Sequence, residues 1–553
     1  MMRWGPGPVF SADCLTLAKR WQLYAGRALL VACVLAGVAL IWFGRVHRRA
    51  ISDYRELATV GVSFFRAIMA VELVLALVVV PAAAAGAFCQ DKVRGGLALM
   101  MTTDLSDAEI VLGRFASRLL AVLGVVVCGL PVLAITASLG GVDPGESVAG
   151  SLVVVGVAIL GIGVAMTYSV WATRPHEALM ATYATWAVWL LAAVVWGAMV
   201  DRTGGPGVVT VTNPFWLIFG HPRGTSGVIL ARGACFLAGC VAISAALALI
   251  SARRLRPVML RQAGGARLRS ASRRPPFWVP PGWDDRDRAL LDSDPVLWRE
   301  RRRGRSSAWG RAIWRLYGSL SAIFTLAAIL LNPDIATGVA GFMVSIGLLM
   351  ASVTSATALA EERAQGGLDV LMAAPLSTRE IVRGKWRGAF RIVPRLAILP
   401  GGLALALGLA REWGWGAFPF AALVVGLVLA YGAVVTSVGL ACAAWQPRLG
   451  RAVALAVAAY LFATVIFPTI ILINIRVGPD DDFLLWISPF FGTFLAIGRI
   501  TWNIDLSVGF LAGLTFWIAL AGAAAFLILK ATETRFDRLL GRVPERPGPA
   551  LPR

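Results

Sequence analysis

With 553 residues, 58% of them hydrophobic and 15% charged, the chain lies outside the range of soluble globules, whose apolar share is about half and charged share about a quarter. The formal charge of +21 comes mostly from arginines between apolar runs of about 20 residues, the length that crosses ~30 Å of hydrocarbon. The expected fold is an all-α polytopic membrane protein of about twelve transmembrane helices. Its positive residues stay on the cytoplasmic side and face lipid headgroups rather than nucleic acid.

In chain order, residues 1–22 hold no signal-peptide core or cleavage site, so the first apolar run is expected to be retained. Val9, Phe10, Leu17, Trp21 and Tyr24 fall on one side of a helix resting at the interface. Spans follow near 23–43 and 62–88. The intervening outer loop carries Arg45, Arg48, Arg49 and Arg55, against the positive-inside trend. A polar segment at 90–114 precedes spans near 115–138, 148–171 and 179–200. An outer loop at 201–227 contains Gly204, Gly205, Pro206 and Gly207, and a sixth span near 228–251 ends at Arg253 and Arg254.

Residues 252–311 carry many arginines, two Pro-Pro pairs and few aliphatics, which reads as a linker unable to build a core. It ends on Asp294-Pro295-Val296-Leu297, which resembles Gly7-Pro8-Val9-Phe10, as if each half opened with the same interface segment. A second set of spans is expected near 314–332, 335–360, 388–410, 416–443, 451–475 and 508–530. The tail from Thr532 is basic and Pro-rich. The expected domains are a first six-helix half at 1–251, the linker at 252–311, a second six-helix half at 312–531 and a tail at 532–553.

The halves repeat. QDKVRGGLALMMTTDLSDAEIVLGR at 90–114 is answered by EERAQGGLDVLMAAPLSTREIVRGK at 361–385 at a constant offset, since 366 − 95 and 384 − 113 both equal 271. Each copy reads as two short helices broken by a turn. Ser106 with Glu109, and Ser377 with Glu380, form capping boxes that open the helix entering the next span. Pro375 stops the short helix before the second box, where the first copy has Asp104. Trp171 and Arg174 match Trp445 and Arg448 further on, and Pro214-Phe215 matches Pro489-Phe490 in a last outer segment read as a partly re-entrant turn.

Two copies kept in register point to docking elements. The segment resembles the cytoplasmic loop of ATP-binding-cassette (ABC) transporter permeases of the type-2 export class. The matching residues are Glu361, Glu362, Gly366, Leu368, Asp369, Leu371, Pro375, Ser377, Glu380, Ile381, Gly384 and Lys385. Gly96 and Gly367 stand where that family favours Thr. The first copy has Gln90, Ala98 and Asp104 where Glu, an acid and Pro are expected. The resemblance implies a permease of two fused halves, with each loop a coupling helix gripped by a separate ATPase subunit. The implied docking residues are Asp91, Gly95, Gly96, Leu97, Ser106 and Glu109 in the first copy. In the second they are Glu361, Glu362, Gly366, Gly367, Leu368, Pro375, Ser377 and Glu380. Export, ATP use by the partner, a bacterial inner (plasma) membrane location and cytoplasmic termini follow from the same resemblance.

No GxxxxGK[ST] phosphate loop occurs, because Gly384-Lys385 is followed by Trp386 and position 379 is Arg. No cofactor, catalytic residue or metal site is therefore expected in this chain. The three histidines, His47, His176 and His221, form no HExxH, and the seven cysteines no CxxC pair. Glu72, within a span, is a candidate pathway residue; the alternatives are a carboxylate near the outer interface or one paired with a neighbouring helix. Arg118 is expected to snorkel, and Pro81, Pro131, Pro394, Pro400 and Pro468 to kink helices. A membrane scaffold that uses an ABC ATPase mechanically, without transport, is the alternative function.

Overall fold

The computed structural model describes residues 7–19, 21–42, 54–138, 141–203, 212–220, 225–271, 291, 293–306, 308–364, 366–411, 413–474, 482–502 and 508–540. The regular elements among them are all helices. Eleven are long and apolar enough to cross a membrane, from Ala58–Ala84 to Val508–Asp537. They correspond to the second through twelfth expected spans. The first expected span is the helix Trp21–Ile41, whose apolar stretch Gly26–Ala39 is shorter. Arg45, Arg48, Arg49, His47, Gly204 to Gly207, residues 272–290 of the Pro-rich linker and the tail beyond 540 lie outside the described residues.

The chain packs as two compact units, residues 1–276 with 469–477 and residues 277–468 with 478–553. The first begins with an interface helix α1 (Pro8–Ala18) and continues with α2 (Trp21–Ile41) and α3 (Tyr54–Ala84). Two short helices follow, α4 (Cys89–Arg94) and α5 (Gly96–Met101). Next come α6 (Asp107–Val126), a 3-10 turn at Val127–Gly129 and α7 (Leu130–Ser138). The unit closes with α8 (Pro144–Trp171), α9 (Pro175–Thr203), the short α10 (Pro214–Phe219) and α11 (Ser226–Ala271).

The long α8 is the buried centre of this unit, packed chiefly on α11 and α3. Glycines on its faces set the approach. A Cβ at Gly156 would lie 3.2 Å from the Phe236 ring, and one at Gly163 would lie 3.0 Å from Ser244 Oγ. Small residues that admit a neighbouring helix replace the hydrophobic drive that lipid does not supply. Pro81 sits within α3, and Trp186 Nε1 on α9 donates to Leu77 O at 2.9 Å beside it.

The second unit repeats the order with α12 (Pro295–Ser306), α13 (Ala308–Leu331) and α14 (Pro333–Ala364). The short α15 (Gly367–Ala373) precedes α16 (Thr378–Phe390) and α17 (Val393–Ala410), the latter carrying Pro400. Then come α18 (Ala417–Trp445), α19 (Leu449–Leu461), α21 (Pro489–Thr501) and α22 (Val508–Leu540); α20 (Phe467–Asn474), between α19 and α21 in the chain, falls mostly in the segment 469–477 counted with the first unit. Here α18 is central, packed on α22, α14 and α17. At the matched outer positions, Pro214 and Pro489 each open a helix, capped by Asn213 and Ser488.

Two boundaries differ from the sequence reading: the tail expected from Thr532 begins inside α22, which runs to Leu540, and the sixth span continues as a longer helix. The sixth span was expected to end at Arg253 and Arg254, but α11 runs 46 residues to Ala271. Arg, Leu, Gln and Ala are strong helix formers, so a segment too polar for a core still continues the helix as it leaves the apolar layer. Two contacts hold the extension: Arg256 Nε lies 2.8 Å from Asp107 Oδ1, and Gln262 Nε2 donates to Trp171 O at 3.0 Å. In the second unit α22 likewise continues past its apolar part. Thr378 Oγ1 there donates to Asp537 Oδ1 at 2.6 Å, and Arg383 Nε pairs with Glu533 at 2.8 Å. Each unit therefore ties its last long helix to the segment that follows the Ser cap.

Candidate docking loops

Both loops are built on the same local frame. Gly95 and Gly366 have φ of 75° and 70°, the left-handed region where a side chain is strained. Each turns the chain sharply into a short helix, α5 or α15. Ser106 Oγ then accepts from Glu109 N at 3.2 Å while Glu109 Oε2 accepts from Ser106 N at 2.9 Å. Ser377 and Glu380 do the same at 3.3 and 2.8 Å. Both capping boxes form and open α6 and α16, as the spacing predicts. Ala374, ahead of Pro375, is extended, the conformation a residue before proline adopts.

The short helices turn one face inward. Leu97 and Leu368 are buried. In the second unit, Leu368, Leu371, Ile381 and Val382 join Leu440, Ala443, Ala444 and Phe536 in one apolar cluster. The other face is bare: Leu99 is 71% exposed and Val370 70%. These two residues were not among the expected docking positions, yet they share the repeat offset, because 370 − 99 is 271. A large aliphatic side chain at matching registers of both copies was the available signal.

Gly95, Ser106, Gly366, Pro375, Ser377 and Glu380 are exposed, and Asp91, Gly96, Glu109 and Gly367 are half-buried. Glu361 and Glu362 are instead buried. Glu362 Oε2 forms an ion pair with Lys385 Nζ at 2.6 Å and Glu362 Oε1 lies 3.6 Å from Arg299. Lys385, only 1% exposed, also pairs with Glu300 of α12 and donates to Ala358 O at 3.2 Å. In the first loop Asp91 pairs with Arg114. Arg114 also donates to Ala87 O and stacks 5.1 Å from the Phe88 ring centre. The offsets 362 − 91 and 385 − 114 are again 271, so the acid that begins each loop is clasped by the cation that ends it.

The first loop has a further anchor. Lys92 Nζ donates to the carbonyls of Ser169, Val170 and Ala172 at the end of α8, the helix terminus a cation favours. Ser169 Oγ accepts from Phe88 N at 3.1 Å and Cys89 N at 3.3 Å. Burial pushes the Lys92 ammonium below and the Cys89 thiol above their ordinary ranges. Both are therefore internal fixtures of the loop.

The glycines that close the motif are the seats of the interface helices. A Cβ at Gly113 would lie 3.1 Å from Phe10 N and 3.2 Å from Val9 Cβ; at Gly384 it would lie 2.6 Å from Val296 Cβ. The resemblance between Pro8-Val9 and Pro295-Val296 thus has a structural use, as each Val packs on the closing glycine of its own unit. Glu72 stands apart from the loops, on α3 within the span Ala58–Ala84, and is 3% exposed.

Residues 296–530 match the family model described as ABC-2 family transporter protein. No match was found among curated proteins.

Proposed function

We propose that the chain is the membrane permease of an ABC transporter, a reading supported by the match of residues 296–530 to the ABC-2 family transporter model, and that it is two half-permeases fused in tandem, each gripped by a separate ATPase subunit at its loop. The observation that carries this reading is the pairing of one frame with one bare apolar knob in both units, at Leu99 and Val370. A left-handed glycine, a capped following helix and an acid–cation clasp hold the knob in a fixed attitude. A rigid aliphatic anchor of this kind fills a cleft on a partner at low entropic cost.

In this reading the buried Glu361 and Glu362 and the half-buried Asp91 keep the loop's shape, while Gly95, Ser106, Gly366, Pro375, Ser377 and Glu380 form the rim around the knob. The clasp joins the loop to α12, α14 and α16, so a push on the short helix moves those helices together. Nucleotide binding by the ATPases shifts the equilibrium between two helix arrangements, and a substrate moves outward only because the two bind it differently. ATP is used by the partner, and this chain holds no cofactor. The location is a plasma (bacterial inner) membrane, with both termini and both loops on the cytoplasmic side.

The test is purification of the tagged full-length protein with identification of a subunit bearing a phosphate loop. Leu99→Asp and Val370→Asp should each lower recovery of that subunit about tenfold with an unchanged melting temperature, and together abolish it. Recovery unaffected by the double variant would refute docking at these knobs. Nucleotide-driven substrate movement in vesicles separates transport from mechanical scaffolding.

A further inference from the structure

We propose that the exposed face of α11 beyond its apolar run, carrying Arg253, Arg254, Leu260 and Arg261, is a second docking surface of the first unit, fitted to an acidic face of the ATPase subunit at the loop 90–114. This rests on the loop-docking reading given above. Residues 251–271 hold six arginines and no acid. At about 100° per residue, Arg253, Arg254, Pro257, Leu260 and Arg261 share one side of the helix, and all five are exposed. Ser251, Ala252 and Leu255 are buried on the other side, where Gln262 reaches Trp171 at the end of α8. Leu260 is 73% exposed. Arg253, Arg254 and Arg261 have no ion pair among the described residues.

Depth, charge and attachment choose the occupant. The apolar run of α11 at 228–250 rises about 33 Å, enough for the ~30 Å of hydrocarbon. Leu260 stands about 15 Å further along the helix than Ile250, past the ~5–8 Å that headgroups add on each side. Lipid therefore meets Arg253 and Arg254 but not Leu260 and Arg261. A second copy of a chain with net charge +21 brings mostly like charge to this face. The helix is fastened to the first loop, because Arg256, at the edge of the face, lies 2.8 Å from Asp107, the residue after the Ser106 cap. A subunit seated on Leu99 lies beside it. One aliphatic tip among cations suits an acidic surface with an apolar recess, the anchor-and-rim pattern of specific interfaces.

The second unit spends its charge differently. Residues 530–540 at the end of α22 hold three cations and two acids, a net charge of 3 − 2 = +1 against +6 for residues 251–271. Both acids are turned inward, Glu533 to Arg383 and Asp537 to Thr378. The fastening thus runs from a helix cation to an acid in the first unit and from helix acids to a cation and a hydroxyl in the second. The first unit is left with a cationic outer face, so its seat should depend on acidic groups of the partner and on salt, and the second should not.

The test uses the full-length chain in lipid nanodiscs, with the phosphate-loop subunit recovered with it as the probe. In a Val370→Asp background, where the first loop holds the subunit, Leu260→Asp with Arg261→Glu should lower recovery about tenfold further at an unchanged melting temperature. In a Leu99→Asp background the same pair should change recovery less than about twofold. Leu260→Met with Arg261→Lys, which keeps bulk and charge, should bind as the parent does. A diazirine side chain at 260 should crosslink to the phosphate-loop subunit. Unchanged recovery in the Val370→Asp background, equal loss in both backgrounds, or crosslinks from 260 confined to lipid, RNA or a second copy of the chain would each overturn the proposal. The crosslink from 260 is scored apart from those at 99 and 370, so failure here and failure of loop docking are read separately.

Discussion

The two loops reach one backbone shape by different chemistry. In the second, Lys385 is held by Glu362 and Glu300, and α12 is part of the clasp. In the first, Arg114 has Asp91 from the loop itself, and the extra hold comes from Lys92 on the end of α8. What recurs is the frame and the outward aliphatic side chain; how the frame is anchored varies. Positions that keep the same residue class across 271 positions are therefore the ones that set the attitude of the short helix.

The sharpest way to break the comparison is to remove the cation from each clasp. Lys385→Met takes the lysine from Glu362, which is 2% exposed, and from Glu300, and should cost about 3–5 kcal/mol. Arg114→Met strands Asp91, which is 29% exposed, and should cost about 1–3 kcal/mol. Thermal unfolding of the purified protein in lipid nanodiscs measures both. Equal losses would mean that the third partner, Glu300, adds nothing.

A smaller effect probes the seats of the interface helices. Gly384→Ala forces Val296 away from a 2.6 Å approach and should cost about 1–3 kcal/mol. Gly113→Ala meets its nearest atom at 3.1 Å and should fall at the low end of that range. Pairing Gly384→Ala with Val296→Ala should recover part of the loss, and no recovery would remove the contact from the account.

Least in size, and predicted equal in the two loops, is the capping box. Ser106→Ala and Ser377→Ala should each cost about 1 kcal/mol, seen as faster amide exchange of Glu109 and Glu380. A loss confined to one loop would show that the frames differ where their bonds look alike.

The parts of this molecule legible in the sequence were those set by local chemistry. Span lengths, the Ser-x-x-Glu boxes and the break at Pro375 each depend on residues within a turn or two of each other, and the helices begin and end accordingly. Glu361 and Glu362 were expected to dock a partner because the resemblance implies it of the acids that begin the loop. Their burial depends on Lys385, 23 residues beyond Glu362, and on Glu300 from the interface helix, which only the fold brings near. The recurrence of acid and cation at one offset was visible, but its meaning as a clasp was not. The linker misled for the opposite reason. Its arginines forbid a core, but they do not forbid a helix, and α11 runs into it.

Photo-crosslinking settles the central claim most directly. A diazirine side chain placed at 99 or 370 in the assembled complex should join the chain to its ATPase subunit, while the same group at buried 97 or 368 should link only within the chain. Crosslinks to the ATPase from 97 and 368 but not from 99 and 370, or from none of the four, would contradict the account.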